Sequence, residues 1–252
     1  MFINERQKQI LDITTAKKNV SVEELAKLVY ASEATIRRDL SNLELHGLIR
    51  RIWGGASVID TSSGEMSSYF RQQSNTQEKR RMGNACVEYL QNDGSYFFDS
   101  STTVGHIIPH LKKLKGGVAI TNGLYNANAL SAIPNIKSLV IGGEIQTATG
   151  AAIGASTIEQ LSQYYCDVCF FSCHGLSLNG PTEGSVEQQK AKALMVKNSK
   201  LRVCLVDHQK FGKTYFVKTC SFEEIDVLIT DQKPDDEFMN VLSEHNVKLV
   251  IV

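Results

Sequence analysis

The sequence predicts an α/β chain in two parts: a small helical N-terminal domain closed by a β-hairpin, and a larger domain built on a mainly parallel sheet. Three observations carry that expectation. Within the first 57 residues, three helix signals follow one another and end in a short alternating stretch with two adjacent glycines. Beyond residue 77, seven short apolar runs alternate with helical stretches, the pattern of strands covered on both faces by their crossover helices. The chain has 252 residues, 42% hydrophobic and 21% charged, long enough to bury two cores.

Ile3, Ile10 and Ile13, with Leu11 beside them, give the first helix an apolar stripe that ends in the mixed run Thr14 to Asn19. Ser21-Val22-Glu23-Glu24 fits a capping box, in which the Ser21 hydroxyl takes an amide of the first turn and Glu24 reaches back to the cap. A short helix runs on through Leu25 and Leu28. After Tyr30-Ala31, Ser32 caps a third helix in which Ile36, Leu40, Leu43 and Gly47 share one narrow sector, with Gly47 as its stop. Counting about 100° per residue from Ile36, the side chains of Ala34, Arg38, Ser41 and Asn42 point away from that sector, with Thr35 and Arg37 on the flanks. Leu48 to Ile59 then alternates as a hairpin, with Arg50 and Arg51 beside Trp53 and Gly54-Gly55 at the turn.

A helix that shows small and cationic side chains, set by a tight turn after a short helix, suits a DNA major groove. Arginine there can bond guanine edges in pairs or hold a phosphate, and threonine can meet a thymine methyl. The hairpin would bring two cations and a flat aromatic to the sugar-phosphate backbone or the minor groove. Composition restrains this reading, because 27 basic and 27 acidic residues leave no net charge and any nucleic-acid affinity must come from a local patch. Residues 1–57 carry nine Lys/Arg against seven Asp/Glu, and a three-helix interaction domain with solvated arginines fits that composition equally well.

The runs Ser21-Val22-Glu23-Glu24-Leu25-Ala26, Ser32-Glu33-Ala34-Thr35-Ile36-Arg37-Arg38-Asp39-Leu40, Leu43-Glu44 and Gly54-Gly55-Ala56 closely resemble the DeoR-type winged helix-turn-helix of bacterial transcription regulators. Trp53 stands where that family commonly has His. The resemblance implies operator double-stranded DNA as partner, with Ser32, Ala34, Thr35, Arg37, Arg38, Ser41, Asn42, Arg50, Arg51 and Trp53 as the contacting set.

Between Val58 and Thr76 the sequence turns polar around Thr61-Ser62-Ser63-Gly64-Glu65, as a linker packed loosely through Tyr69 and Phe70 would. The expected division is a winged helix-turn-helix over 1–57, a linker over 58–76 and an α/β domain over 77–252. The seven apolar runs are Tyr96-Phe97-Phe98, Val118-Ala119-Ile120, Ser138 to Ile141, Val168 to Phe171, Val203 to Val206, Val227 to Ile229 and Val247 to Val252. Polar residues collect just past several of them, at Asp99-Ser100-Ser101-Thr102-Thr103, Thr121-Asn122-Gly123, Gly142-Gly143-Glu144 and Asp207-His208-Gln209-Lys210-Phe211-Gly212. Parallel sheets bind ligands beyond the carboxyl ends of their strands, and hydroxyls and amides opening a helix attract anions. Lys210 could meet a phosphate directly, so the four clusters suggest a small, phosphorylated, polyhydroxylated ligand. Turn and cap chemistry is the plainer account of any one of them.

Lys79, the Asp99 to Thr103 loop, Thr121-Asn122, Gly142-Gly143, Gly175, Gly180 to Glu183, and Asp207 with Lys210-Phe211-Gly212 resemble landmarks of the DeoR family's C-terminal sensor domain. That domain is similar to ribose-5-phosphate isomerase and the CoA-transferases. The resemblance implies a phosphorylated sugar effector held by Asp99, Ser100, Ser101, Thr102, Thr103, Thr121, Asn122, Gly142, Gly143, Glu183, Asp207 and Lys210. Ser100-Ser101 replaces the small residue and glycine often found in the family.

Other chemistry fits less well. Cys166-x-x-Cys169-x-x-x-Cys173-His174 has a metal-like spacing, but in a strand positions 166 and 169 point to opposite faces. Gly212-Lys213-Thr214 resembles the end of a nucleotide phosphate loop, yet Asp207 occupies the place of the required first glycine. His106, His110, His174 and His208 lack metal spacing; most read as surface or capping residues, with His208 placed beside Asp207 to line the pocket. No metal or cofactor is expected. The scattered cysteines suit reduced thiols, and neither a signal peptide nor a bilayer-length apolar run is visible, which suggests a cytoplasmic protein without a membrane partner. A symmetric pair of helices reads two half-sites, so a homo-oligomer, dimer or tetramer, is expected. The reading is a sugar-phosphate-responsive repressor of carbohydrate genes. Its rival is an isomerase-like or CoA-transferase-like enzyme with an accessory DNA-binding domain, using Glu183, Glu187 or Asp207.

Overall fold

The structure, a computed structural model, describes residues 5–45, 48–57 and 68–252, with the side chains of residues 68–70 left aside. The expected contributions of Ile3, of Gly47 as helix stop, of the hairpin's end at Val58 and Ile59, and of Tyr69 and Phe70 lie outside the described residues. The chain divides into two compact units, Met1–Arg71 and Gln72–Val252.

The first unit contains α1 (Glu5–Lys17), β1 (Asn19–Ser21), α2 (Val22–Leu28), α3 (Glu33–Leu45), β2 (Arg50–Ile52) and β3 (Gly55–Ser57). Ile10 and Leu11 of α1, Val22 and Leu25 of α2, and Ile36, Leu40 and Leu43 of α3 meet in one core, closed beneath by Val20, Leu48, Ile49 and Ala56. The Ser21 hydroxyl accepts the Glu24 amide at 3.1 Å, while the Glu24 carboxylate pairs with Lys17. Tyr30, at φ 52°, turns the chain between α2 and α3, and Ser32 Oγ accepts the Thr35 amide at 3.3 Å.

Two local differences from expectation follow from backbone packing. The wing is a three-stranded sheet in the order β1-β3-β2, because residues 19–21 pair antiparallel with β3. Its turn is Trp53-Gly54, with Gly54 at φ 74°; Gly55 belongs to β3, where a Cβ would stand 2.2 Å from the Val20 carbonyl oxygen.

Helix α4 (Ser68–Gln73) crosses the boundary between the units, and α5 (Thr76–Ala85) follows it, so the stretch expected as linker is helical from Ser68. The remaining elements are β4 (Gly94–Phe98), β5 (Gly117–Thr121), α6 (Leu124–Leu130), β6 (Lys137–Val140), β7 (Glu144–Gln146), β8 (Ala151–Ile153), α7 (Ala155–Leu161), β9 (Cys166–Ser172), β10 (Gly175–Ser177), β11 (Gly180–Glu183), α8 (Val186–Lys197), β12 (Ser199–Leu205), β13 (Val217–Lys218), β14 (Val227–Thr230), α9 (Asp236–Glu244) and β15 (Lys248–Ile251).

Seven of these strands, one for each apolar run, form a parallel sheet in the order β15-β14-β12-β9-β4-β5-β6. Alternation sorts their side chains. Tyr96, Phe98, Val168, Phe170, Val203, Leu205, Val227 and Ile229 face Met82, Ile107, Ile108, Leu111 and Leu130. Phe97, Cys169, Phe171, Cys204 and Leu228 face Leu161, Ala191, Met195, Phe238 and Leu242 on the other side. Phe98 stacks on Phe170 across the central strand pair, with ring centroids 5.4 Å apart. Strand order reverses between β4 and β9: β5 and β6 continue one way and β12, β14 and β15 the other. Loops leaving the carboxyl ends of such a pair run to opposite faces and open a crevice between them.

Candidate functional site

Helix α3 presents two distinct faces. Ser32, Ala34, Arg37, Arg38 and Ser41 are exposed, Thr35 and Asn42 half-buried, and Ile36, Leu40 and Leu43 fully inside. Asp39 also points inward, where it accepts Arg6 Nε at 2.6 Å and Gln7 Nε2 at 3.0 Å, tying α3 to α1. The outward cations are not equivalent. Arg37 is paired with Glu33 at 2.7 Å one turn back. Arg38 has no side-chain partner among the described residues and stands on the outer face. From the wing, Arg51 Nη1 donates to Ser41 Oγ at 3.0 Å and the Arg51 amide to Glu44 Oε1 at 2.9 Å. Arg50 is exposed on the same hairpin, and Trp53 at its tip is fully exposed, with a relative accessibility of 104%.

In the second unit the strand-reversal point is occupied by Asp99 and Ser172. Asp99 is buried; Oδ1 accepts the Ser101 amide at 2.8 Å, and Oδ2 accepts the Ser172 amide at 2.9 Å. Lys192, from α8, reaches in beneath them. Its ammonium donates to the Ser172 carbonyl at 2.8 Å and to Glu183 Oε1 at 2.5 Å, and lies 3.3 Å from Asp99 Oδ2. Glu183 Oε2 meets His174 Nδ1. Burial opposes ionisation of Glu183, but Lys192 and His174 outweigh it and hold the carboxyl at about 2. Burial likewise works against the Lys192 ammonium, and Glu183 and Asp99 reverse that, raising its pKa.

Lys210 also reaches Ser172, donating to its Oγ at 3.0 Å and standing 3.4 Å from Asp207 Oδ2. Lys79 of α5 is buried and donates to Thr102 Oγ1 at 3.1 Å. His208 is held by the buried Asp231 through both its amide and Nδ1. Lys192 thus pairs with Asp99 and Glu183, Lys210 with Asp207, and Lys79 with the Thr102 hydroxyl, all near the carboxyl ends of β4, β9 and β12. Ser100, Ser101, Thr102 and Thr103 are all buried.

The four sequence clusters do not converge equally. Asp99 to Thr103, Thr121-Asn122 and Asp207 to Lys210 follow β4, β5 and β12, near the reversal. Gly142-Gly143 follows β6, four strand spacings or about 19 Å from the β12 end, too far for one sugar phosphate to touch both. The Gly142 amide and carbonyl are taken by Gln160 and Thr157, and a Cβ on Gly143 would stand 2.1 Å from Thr157 Oγ1. These glycines serve the packing of α7. The expected helix-start amides also differ: β4 and β12 lead into 3-10 turns, and of these three strands only β5 leads directly into an α-helix, α6, behind Gly123.

Ser172, Lys192 and Asp231 did not stand out in the sequence. His174, expected among surface or capping residues, is half-buried, its side chain held between Glu183 and the Tyr215 ring. Cys166 is buried in the same core cluster as Cys169 and Cys173. Burial pushes the Cys166 thiol up to about 12 and Cys169 well above its ordinary range. Among the described residues, no group of three or more His, Cys, Asp or Glu is placed to hold a metal ion.

Comparison with known proteins matches both units. A family model described as the DeoR-like helix-turn-helix domain matches residues 6–62, and one described as the DeoR C terminal sensor domain matches residues 74–232. The HTH-type transcriptional repressor GlcR of Bacillus subtilis is 32% identical over 252 residues, covering 100% of this chain and 97% of the relative. The glycerol-3-phosphate regulon repressor of Escherichia coli K12 is 30% identical over 249 residues, 97% of each. Among solved structures, ribose 5-phosphate isomerase A of Methanocaldococcus jannaschii overlays with a TM-score of 0.41 at 15% identity, covering 55% of each chain.

Proposed function

The chain belongs to the DeoR family of transcription regulators, and on that premise we propose that it represses carbohydrate genes by binding operator DNA through α3 and the wing, under control of a phosphorylated sugar. Arg38 carries the DNA half of this reading. A guanidinium with no side-chain partner among the described residues, on the outer face of a capped helix beside a wing bearing Arg50, Arg51 and Trp53, suits major-groove readout flanked by backbone contact. Ser32, Ala34, Thr35, Arg37, Ser41 and Asn42 complete the surface.

For the ligand half, support comes from the crevice at the strand reversal, where Lys210, Lys79 and the hydroxyls of residues 100–103 and 121 lie near buried acids. One relative is named for a glycerol-3-phosphate regulon, in keeping with a phosphorylated polyol or sugar. Operator reading by a single helix gives little affinity, so a symmetric oligomer working in the cytoplasm completes the proposal. The ligand changes DNA occupancy only through its different affinity for DNA-competent and DNA-incompetent arrangements.

The deciding experiment titrates the full chain against the DNA upstream of its own gene and neighbouring carbohydrate genes, with and without a panel of sugar phosphates. Tight, ligand-sensitive binding that is lost on removing residues 1–57 is expected. Steady turnover of a sugar phosphate without specific DNA binding would overturn the reading in favour of an enzyme.

A further inference from the structure

Buried polar side-chain atoms are rarely left without a hydrogen-bond partner. His174 Nε2 is such an atom among the described residues. His174 lies two residues beyond β9, its side chain 9% exposed, with the Tyr215 ring tilted at 59° and centred 5.7 Å away. Its other nitrogen, Nδ1, meets Glu183 Oε2, and Glu183 Oε1 is bound by the Lys192 ammonium. Lys192 is anchored to the Ser172 carbonyl and lies against Asp99, so the array is fixed to the strand reversal.

That geometry sets the tautomer. A carboxylate paired with an ammonium only accepts, so Nδ1 carries the ring hydrogen and donates it to Glu183. In the neutral ring, Nε2 is then left with a lone pair and no hydrogen. Whatever satisfies it has to donate. An ionised phosphate oxygen cannot, and the ammoniums of Lys192 and Lys210 are engaged by Glu183, Ser172 and Asp207. A ligand hydroxyl can.

Resting on the ligand reading above, we propose that His174 Nε2 accepts a hydrogen bond from one hydroxyl of the bound sugar or polyol phosphate and makes that hydroxyl a requirement for recognition. A site built to bond a hydroxyl rejects the analogue lacking it, because the buried acceptor is then left unpaired. The phosphate is held elsewhere, so His174 separates ligands by hydroxyl pattern rather than by charge.

The test uses the full chain and a panel of glycerol 3-phosphate, fructose 1-phosphate and glucose 6-phosphate, each with its monodeoxy counterparts, measured by calorimetry on wild type and His174→Phe. At least one parent compound should bind wild type. It should bind His174→Phe at least tenfold more weakly, and one deoxy counterpart should show a similar loss on wild type but none on the variant. In parallel, 15N spectra of the wild-type imidazole should show Nδ1 protonated, Nε2 unprotonated, and an Nε2 shift that moves when the parent is added; this measurement stands if the variant fails to fold. Equal parent affinity in wild type and variant, or an unmoved Nε2 signal, would leave a trapped water as the partner and refute the assignment while sparing the ligand reading. A doubly protonated ring in the complex would refute it in favour of a phosphate contact. If no panel member binds wild type, the ligand reading falls and this inference with it.

Discussion

Arg51 donates from Nη1 to the hydroxyl oxygen of Ser41 at 3.0 Å, which fastens the wing to the outer face of helix α3. Ser41 passes its own hydrogen to the Arg37 carbonyl, so the contact continues into the helix backbone. The guanidinium that braces the wing is thereby separated in role from Arg38, which has no such tie among the described residues. Arg38→Ala should cost about 1–3 kcal/mol of operator binding and erode discrimination against a scrambled duplex. Arg51→Ala should weaken both duplexes alike and reduce the slope of log K against log salt by about one. Anisotropy titrations of the two duplexes at several salt concentrations separate these outcomes; identical profiles for the two variants would dissolve the distinction.

Trp53 is the single tryptophan of the chain and is fully exposed at the wing turn. Its emission therefore reports one site. If the wing lies on DNA, the indole passes from water to a sugar edge or a base, and its fluorescence should be quenched or blue-shifted in proportion to operator occupancy. Trp53→Ala should cost on the order of 1 kcal/mol, the lower end of what aromatic stacking on a base contributes. An unchanged spectrum at saturating operator would take Trp53 out of the interface.

Much of this was legible in sequence because it depends on periodicity. Each of the seven apolar runs became a strand of the parallel sheet, and Ile36, Leu40 and Leu43 became the inward face of α3. What escaped depends on partners distant in sequence. Asp39 counts as polar on any helical wheel, yet Arg6 and Gln7 draw it into the core. Lys192 and Glu183 are nine residues apart and read as an ordinary charged segment until Asp99 and Ser172 are brought beside them by a different strand. Strand β1 is three residues long and exists only because β3 lies alongside. The four glycine- and hydroxyl-rich clusters were visible, but their separation across the sheet followed only from strand order, which put Gly142-Gly143 out of reach of Lys210.

Asp167 joins the amino ends of two central strands: Ser95 of β4 donates to its Oδ2 from both amide and hydroxyl, at 3.0 and 2.7 Å, while Lys200 pairs with Oδ1. Lys200 first, then Ser95, hold this carboxyl at about 2. Its unfolded counterpart titrates near 3.9. A depressed folded pKa means stability present above about pH 4 and lost as the pH falls towards 2. Because Lys200 is largely solvated, screening limits the whole contribution to about 1 kcal/mol. Asp167→Asn should therefore lower Tm by about 2–4 °C at pH 7. Denaturation followed between pH 7 and about 2.5 should show that gap closing as the wild-type carboxylate protonates; a gap constant with pH would mean the loss is one of packing.

Lys210 stands between two demands. It donates to Ser172 Oγ at 3.0 Å and lies 3.4 Å from Asp207 Oδ2, with a fifth of its side chain exposed. A phosphate entering the crevice competes with Asp207 for that ammonium, so the two residues should oppose each other in ligand binding. Lys210→Ala should weaken a sugar phosphate at least tenfold, about 1.4 kcal/mol, while leaving operator affinity in its absence near wild type. Asp207→Asn removes the competing charge and should tighten the same ligand. Since a ligand of the folded state raises stability by mass action, thermal shifts should follow the order Asp207→Asn, wild type, Lys210→Ala at fixed ligand concentration. If Lys210→Ala shifts as far as wild type, the lysine is a structural brace for Ser172, and the phosphate must be bound by the Ser100 to Thr103 loop and Lys79 instead.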